Sequence, residues 1–441
     1  MSLVSRFLPT RPAHLSFVSS HSLGRFGTTS GSRAVKSNQL QIHRFYASRQ
    51  SSGADILADL DQIIVSQRSG TPLNRNRDLG HTYSQQTSYQ RPSATHQQYK
   101  HRPQNKMAKK KSTTPPESSL LLPTPPSSLP TVDTHTHVAS TYEFYRGRYK
   151  EGKYTDVYEF VKEMYKGRNV EAVVDVWCEA PVRPLWKEFA DAAMQKEKWG
   201  GMEYWFVLGV HPHDAKKYND DVEKDILEAM THSRCVGWGE MGLDYHYDNS
   251  PREIQQEVFT RQLKHAVRLN KPLTIHTREA DDDTERILKE VVPKDHKIHI
   301  HCFTDSPDFA ARLLAHFPNL YIGITGVITF ATNDNTAAVI RNMLASPSAP
   351  TPTNASSLRI LLETDAPYMV PANIYDSLIT RDSEMKGKKL PICHSAMVPW
   401  TAKFVADVAN GVEKQKGGEE GWDADVIMRV ARENARKVYG V

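Results

Sequence analysis

Two histidines one residue apart, His135 and His137, close the lead-in Val132-Asp133-Thr134. In a β-strand residues i and i+2 project from one face, so an HxH at a strand end sets two imidazoles side by side, able to share one metal ion. Short His pairs also arise by chance on loops, so the motif alone is weak. Further strand-like runs, however, end on a residue able to ligate a metal: Glu240, His276, His301, Asp365 and, more loosely, His211 and His213. A single His at a strand end is ordinarily a satisfied polar residue; its recurrence points to a metal centre.

The residue types fix the chemistry further. Glu240 stands just after a fourth strand between Gly239 and Gly242, where the backbone can turn tightly. Its two carboxylate oxygens can bridge two cations. Four imidazoles (His135, His137, His276, His301) and two carboxylates (Glu240, Asp365) suffice for two divalent ions, with mixed N/O ligation suiting Zn2+, Mn2+ or iron, or Mg2+ with more bound water. His299 and His301 are read as alternating, so that only one faces the interior, with His301 favoured by the Cys302-Phe303 that follows. Glu363 and Asp365 share a face, and Asp365 is nearer the strand end that Ala366-Pro367 marks.

Such residues need a frame that brings distant segments together. From residue 131 onward, β-branched runs alternate with helical patterns: Val132–His135, Ala172–Trp177, Tyr204–His211, Cys235–Glu240, Leu273–His276, Ile298–His301, Leu320–Ile324 and Arg359–Asp365. Helical periodicity fills Pro184–Lys198, Asp221–Met230, Asp308–His316, Trp400–Val408 and Ala424–Tyr439. Ser250-Pro251-Arg252-Glu253 has the spacing of a capping box with proline at the first helical position. Eight β-then-α units predict an α/β fold, a (β/α)8 TIM barrel spanning 131–441, whose strand ends converge on one mouth. A doubly wound open sheet competes, but it gives no reason for ligand-type residues on so many strand ends. Insertions fall at 142–168, 345–357, 368–395 and 411–421.

The rest of the chain differs in texture. Residues 1–111 hold 17 Lys/Arg against 4 Asp/Glu, leaving 39 basic and 47 acidic residues in 112–441. The body is therefore acidic, and any attraction of nucleic acid is local to the site rather than a bulk field. Residues 1–54 lack Asp and Glu and read as a mitochondrial transit segment, or else as a disordered basic tail or upstream read-through. A product begun at Met107 would lack it and be cytoplasmic or nuclear. Residues 55–130 read as a disordered Ser/Gln/Pro-rich linker. The scattered Cys178, Cys235, Cys302 and Cys393 form no CxxC, which argues against a disulfide framework or zinc knuckle. No apolar run is long enough to span a membrane.

The series Asp133-Thr-His-Thr-His137, Gly209-Val-His-Pro-His213, Gly239-Glu-Met-Gly-Leu-Asp244, Ile275-His-Thr-Arg-Glu-Ala280, His301-Cys-Phe303, Gly323-Ile-Thr-Gly326 and Leu362-Glu-Thr-Asp-Ala-Pro-Tyr368 resembles the TatD family of metal-dependent deoxyribonucleases, which lie within the amidohydrolase-like barrels. The likeness runs from about Asp133 to the end, where Glu433-Asn-Ala-Arg436 is similar to the family's closing helix. It implies a metal-dependent nuclease on DNA and assigns His135, His137, Glu240, His276, His301 and Asp365 to the metals. Three loops depart from the family pattern: a long one after the first strand, Thr304-Asp305 where Ser-Gly is typical, and Lys388–Ser395 in place of an Asn-Glu-Pro element.

With this ligand set, two cations bridged by Glu240 can activate a bridging water for in-line displacement at phosphorus. His135, His137 and Asp365 would hold one ion, and His276 and His301 the other. Asp365 can accept the water proton. Arg278 and His213 are candidates to grip the phosphate. Arg278 could equally pair with Asp281, while His211 and His213 could instead shape the mouth. Tyr368 could stack on a base or simply pack. The leading expectation is an exonuclease on single-stranded or frayed DNA ends; an amidohydrolase-like hydrolase on another ester, lactone or amide, and a non-catalytic interaction protein, are the alternatives.

Overall fold

The computed structural model describes residues 114–441 except 196, 346–348 and 418–420. The transit reading of 1–54, and the linker reading of 55–113, lie outside the described residues. Eight strands form one sheet in sequence order: β1 (Thr131–Thr136), β2 (Val170–Trp177), β3 (Glu203–Leu208), β4 (Cys235–Asp244), β5 (Leu273–Arg278), β6 (Ile298–Ile300), β7 (Leu320–Ile324) and β8 (Ile360–Leu362). Every neighbouring pair is parallel. The ring closes just past β8, where the Asp365 amide donates to the His135 carbonyl (2.9 Å) and the His137 amide to the Ala366 carbonyl (3.0 Å). The buried Asp133 carboxylate reinforces that seam, accepting from the Thr364 amide (2.9 Å) and hydroxyl (2.6 Å). This is the expected (β/α)8 barrel.

Strands covered on both faces carry near-continuous apolar runs, and β2, Val-Glu-Ala-Val-Val-Asp-Val-Trp, is buried everywhere except Glu171. The helices are α1 (Val138–Arg148), α2 (Val157–Tyr165), α3 (Leu185–Ala192), α4 (Asp220–Ala229), α5 (Arg252–Arg268), α6 (Asp281–Val291), α7 (Pro307–His316), α8 (Asn335–Ala345), α9 (Ile374–Arg381), α10 (Val398–Gln415) and α11 (Ala424–Tyr439). The last begins at Asp423, whose side chain accepts from the Val426 amide, and ends at Gly440 in the left-handed conformation (φ 81°). Ile427, Ala431, Ala435 and Val438 bury its inner stripe. Asn434 on the same stripe donates to the Leu358 and Ile360 carbonyls (2.8 and 2.9 Å), pinning the helix to β8.

Several expectations are corrected. The described end of the supposed 55–130 linker is a strap on the barrel. Glu117–Leu120 makes a 3-10 turn, and Leu120 and Leu122 are buried. Glu117 Oε1 accepts from the Tyr145 hydroxyl (2.7 Å) and the Lys153 amide (3.1 Å), and His394 Nε2 donates to the Leu120 carbonyl (3.2 Å). The prolines forbid regular structure but leave carbonyls free to accept and leucines free to pack. The capping box at Ser250 is not formed: its hydroxyl donates to the His213 carbonyl (2.8 Å), and α5 begins at Arg252 without a side-chain cap. The 142–168 insertion is largely helical, forming most of α1 and all of α2. β4 runs to Asp244, so Glu240 lies within the strand rather than after it.

Candidate metal centre

Six segments deliver donors to one spot. On the first side, His137 Nδ1 donates to the Val176 carbonyl (3.1 Å), which turns Nε2 toward Asp365 Oδ1 at 3.3 Å. His135 Nε2 stands 3.7 Å from the same oxygen and 3.5 Å from Glu240 Oε2. On the second side, Glu240 Oε1 lies 2.8 Å from His301 Nε2, 2.9 Å from His276 Nδ1 and 3.3 Å from His211 Nε2. Glu240 thus presents one oxygen to each group. His135, His137 and Asp365 form one set of converging donors, and His211, Glu240 and His276 another. His135 and His301 stack between them, ring centroids 3.9 Å apart.

Local backbone makes the convergence possible. Gly242 has φ +152°, and a Cβ there would strike the His276 carbonyl on β5, so β4 must be bare at the point where it aligns its neighbour. Asp365 sits at φ +50°, just past the ladder, where the chain turns its carboxylate over the mouth. Asp175 on β2 accepts from the Val138 amide (2.8 Å) and the Tyr204 hydroxyl (2.6 Å), fixing the start of α1 immediately after the HxH.

The electrostatics are those of carboxylates that require positive charge. Burial would raise Glu240, but His301 and His211 outweigh it and hold it well below the usual carboxylate range. Burial likewise opposes ionisation of Asp365, yet the His137 hydrogen bond and the neighbouring imidazoles keep it low. Burial pushes His135 down to about 3 and His211 to about 4, so both are neutral, ligand-ready imidazoles at neutral pH. For His137 burial is overcome by Asp365, and for His276 by Asp244 and Glu240, lifting them to about 9 and about 10.

The donor set fits a divalent cation. Both ring nitrogens of His135 are fully buried without a hydrogen-bond partner among the described residues, as is Nδ1 of His301. Orphaned polar atoms in the interior are costly, and a cation bound at His135 Nε2, which faces Glu240 and Asp365, would satisfy one of these nitrogens.

Every predicted ligand (His135, His137, Glu240, His276, His301, Asp365) is in this cluster. His211 lies deeper than a rim residue, against Glu240. His213 is on the outer side, its Nε2 2.9 Å from Asp244 Oδ2. The same oxygen is 3.3 Å from His276 Nε2. Asp244, assigned no role from the sequence, therefore holds the ring of His276, one of the candidate donors, as carboxylates beside metal-bound imidazoles commonly do; its position four residues beyond Glu240, on the same strand face, was the available signal. The expected alternation of His299 and His301 is wrong. Two residues apart, they share a face; both are buried, His299 one layer deeper and 6.4 Å from the His135 ring.

Arg278 does not pair with Asp281. Among the described residues its guanidinium has no hydrogen-bond or ion-pair partner and lies over the Tyr247 ring, 4.8 Å from the centroid, while Asp281 accepts from Ser306 (2.6 Å). Tyr368 packs edge-on against Phe144 of α1, centroids 5.6 Å apart.

Comparisons with known proteins agree with this geometry. The family profile described as TatD related DNase matches residues 132–440. The 3'-5' RNA nuclease TATDN2 of Homo sapiens is 35% identical over 252 residues, 56% of this chain but 30% of that protein. The uncharacterized metal-dependent hydrolase YabD of Bacillus subtilis is 32% identical over 243 residues, 54% and 81% of the two chains. The 3'-5' ssDNA/RNA exonuclease TatD of Escherichia coli is 32% identical over 180 residues, 41% and 64%. The chain thus spans less than a third of the human protein. An amidohydrolase from Saccharomyces cerevisiae superposes with a TM-score of 0.53 at 18% identity, covering 70% of this chain and all of that one. The E. coli TatD homolog YJJV gives 0.51 at 22%, covering 70% and 98%; at these identities the likeness bears on the fold alone. With the profile running from the strand that carries the HxH to the end of α11, the chain belongs to the TatD-related DNase family.

Proposed function

We propose that this protein is a divalent-metal-dependent nuclease that hydrolyses phosphodiester bonds, working from an end of the strand. The observation that carries the reading is Glu240, whose two oxygens face two separate groups of histidines. Two divalent cations at those groups would supply a nucleophilic water and neutralise charge developing on phosphate oxygens. His135, His137 and Asp365 would hold one, and His211, His276 and His301 the other, with Glu240 between.

The chain's own residues account for the remaining work. Asp365, its Oδ1 toward the two imidazoles of the HxH, takes the proton of the attacking water. Arg278, whose guanidinium makes no ion pair among the described residues and lies over Tyr247, offers a fork of N–H donors to a phosphate at the rim. Beside it a cavity of about 670 Å³ is lined by Glu279, Asp281, Asp282, Asp283 and Asp305 as well as Arg278. That acidic wall repels a long polyanion lying across the mouth and favours a strand gripped at one end. The names of the human and E. coli relatives extend the candidate substrate from DNA to RNA.

The test is cleavage of short 3'- and 5'-labelled DNA and RNA oligonucleotides by metal-stripped protein before and after restoring Mg2+, Mn2+ or Zn2+. Ladders shortened from one end, dependent on metal and abolished in Glu240→Ala and Asp365→Ala, are expected. Undiminished cleavage by the metal-stripped protein or by Glu240→Ala would refute the reading.

A further inference from the structure

Beneath the donors lies a second polar layer that the cleavage scheme does not use. Tyr439, in the last turn of α11, sends its hydroxyl into the barrel, 2.7 Å from Thr274 Oγ1 on β5 and 2.8 Å from His299 Nδ1 on β6. His299 Nε2 approaches Glu363 Oε2 at 2.7 Å, and Glu363 Oε1 accepts from the Cys302 amide. All four side chains are buried. The Glu363 carboxylate lies within 4.8 Å of ring nitrogens of His135 and His301. β7 makes room for this layer with Gly323, where a Cβ would strike Glu363 Oε1 and come within 2.6 Å of His299 Nε2.

The Tyr439 hydroxyl lies between Thr274 Oγ1 and His299 Nδ1 and has a single proton to donate to one of them. His299 Nε2 and Glu363 Oε2 are in contact at 2.7 Å without a hydrogen-bond partner among the described residues. Burial lifts Glu363 to about 8, so its carboxyl is largely protonated at neutral pH in the metal-free protein. Held from below by His299 and Tyr439, it stands in one group of converging donor atoms with His135 and His301.

We propose that Tyr439 is a positioning residue of the metal centre, fixing through His299 the place of the Glu363 carboxyl among the converging donors of His135 and His301. A residue in the last turn of α11, outside every motif of the site, is thereby part of its construction. The proposal rests on the metal-centre reading above.

The test is calorimetric titration of Mn2+ into the metal-stripped full chain, as wild type, Tyr439→Phe, Glu363→Gln and the double variant, with the melting temperature of each metal-free protein measured alongside. Tyr439→Phe is expected to weaken Mn2+ binding about tenfold and Glu363→Gln about 10- to 100-fold. The double variant should be no weaker than Glu363→Gln alone, because the tyrosine acts through the carboxylate. If Tyr439→Phe fails to fold, His299→Gln breaks the same chain at its middle and should show the same non-additivity. A Tyr439→Phe affinity within twofold of wild type, or losses that multiply in the double variant, would overturn the proposal. Failure of the wild type to bind Mn2+ would instead remove the metal-centre reading, and the proposal with it.

Discussion

Replacing Arg278 by alanine isolates substrate binding from folding. Its guanidinium makes no ion pair or hydrogen bond among the described residues, and its one close partner is the Tyr247 ring at 4.8 Å. A partly exposed cation–π contact contributes about 0.5–1 kcal/mol, so Arg278→Ala should change stability by no more than that. A charge-assisted fork on a phosphate is worth about 1.5–3 kcal/mol, which corresponds to a loss of roughly 10- to 150-fold in kcat/KM. Arg278→Lys keeps the charge and loses the fork, and should fall between. The assay is single-turnover and steady-state cleavage of a labelled oligonucleotide at saturating metal, with thermal melting of each variant. A kcat/KM for Arg278→Ala within twofold of wild type would refute the assignment. So would a large fall in melting temperature, which would mean that Arg278 supports the fold instead.

Two further predictions concern protons and the strap. In the metal-free protein His137 and His276 titrate near 9 and 10, above the ordinary 6.5, because Asp365, and Asp244 with Glu240, outweigh the effect of burial. Their protonated forms therefore stabilise the metal-free fold fully below about pH 6.5, and that contribution is lost as the pH rises through 9 to 10. A cation must displace these protons, so Mn2+ affinity should climb between pH 6.5 and 9, about tenfold per unit for each proton displaced; a flat profile by titration calorimetry would contradict this. Deleting the strap, by beginning the protein at Thr131 rather than Met107, exposes the sites of Leu120 and Leu122 and strips Tyr145 of its Glu117 acceptor. Two leucines contribute about 3–6 kcal/mol, so the shorter protein should melt on the order of 10 °C lower; equal melting temperatures would show that the strap is dispensable.

The clustered donor residues and the barrel were legible because parallel strands buried on both faces write themselves as apolar runs, and each donor sits where such a run meets a polar residue. His135, His276 and His301 were readable in this way. What escaped depended on contacts between segments. Asp244 looks like any carboxylate after a strand until His213 and His276 arrive from elsewhere to share its Oδ2. His299 could have been placed by the two-residue period of a strand, but its partner Tyr439 lies 140 residues away and carries no local signal. The strap was hidden by composition. Residues 114–130 are rich in Ser and Pro, and only Leu120-Leu121-Leu122 hinted that part of the segment was bound for the core. Ser250 had capping-box spacing yet spends its hydroxyl on His213, a tertiary demand that local pattern does not record.

On the function proposed, six distant segments build one centre for two cations with Glu240 between them. Metal analysis of protein loaded with Mn2+ or Zn2+ and freed of excess tests it most directly. Two equivalents per chain are predicted for the wild type and one or fewer for Glu240→Gln. A wild type that retains no divalent ion, or a Glu240→Gln variant that retains as much as wild type, would contradict it.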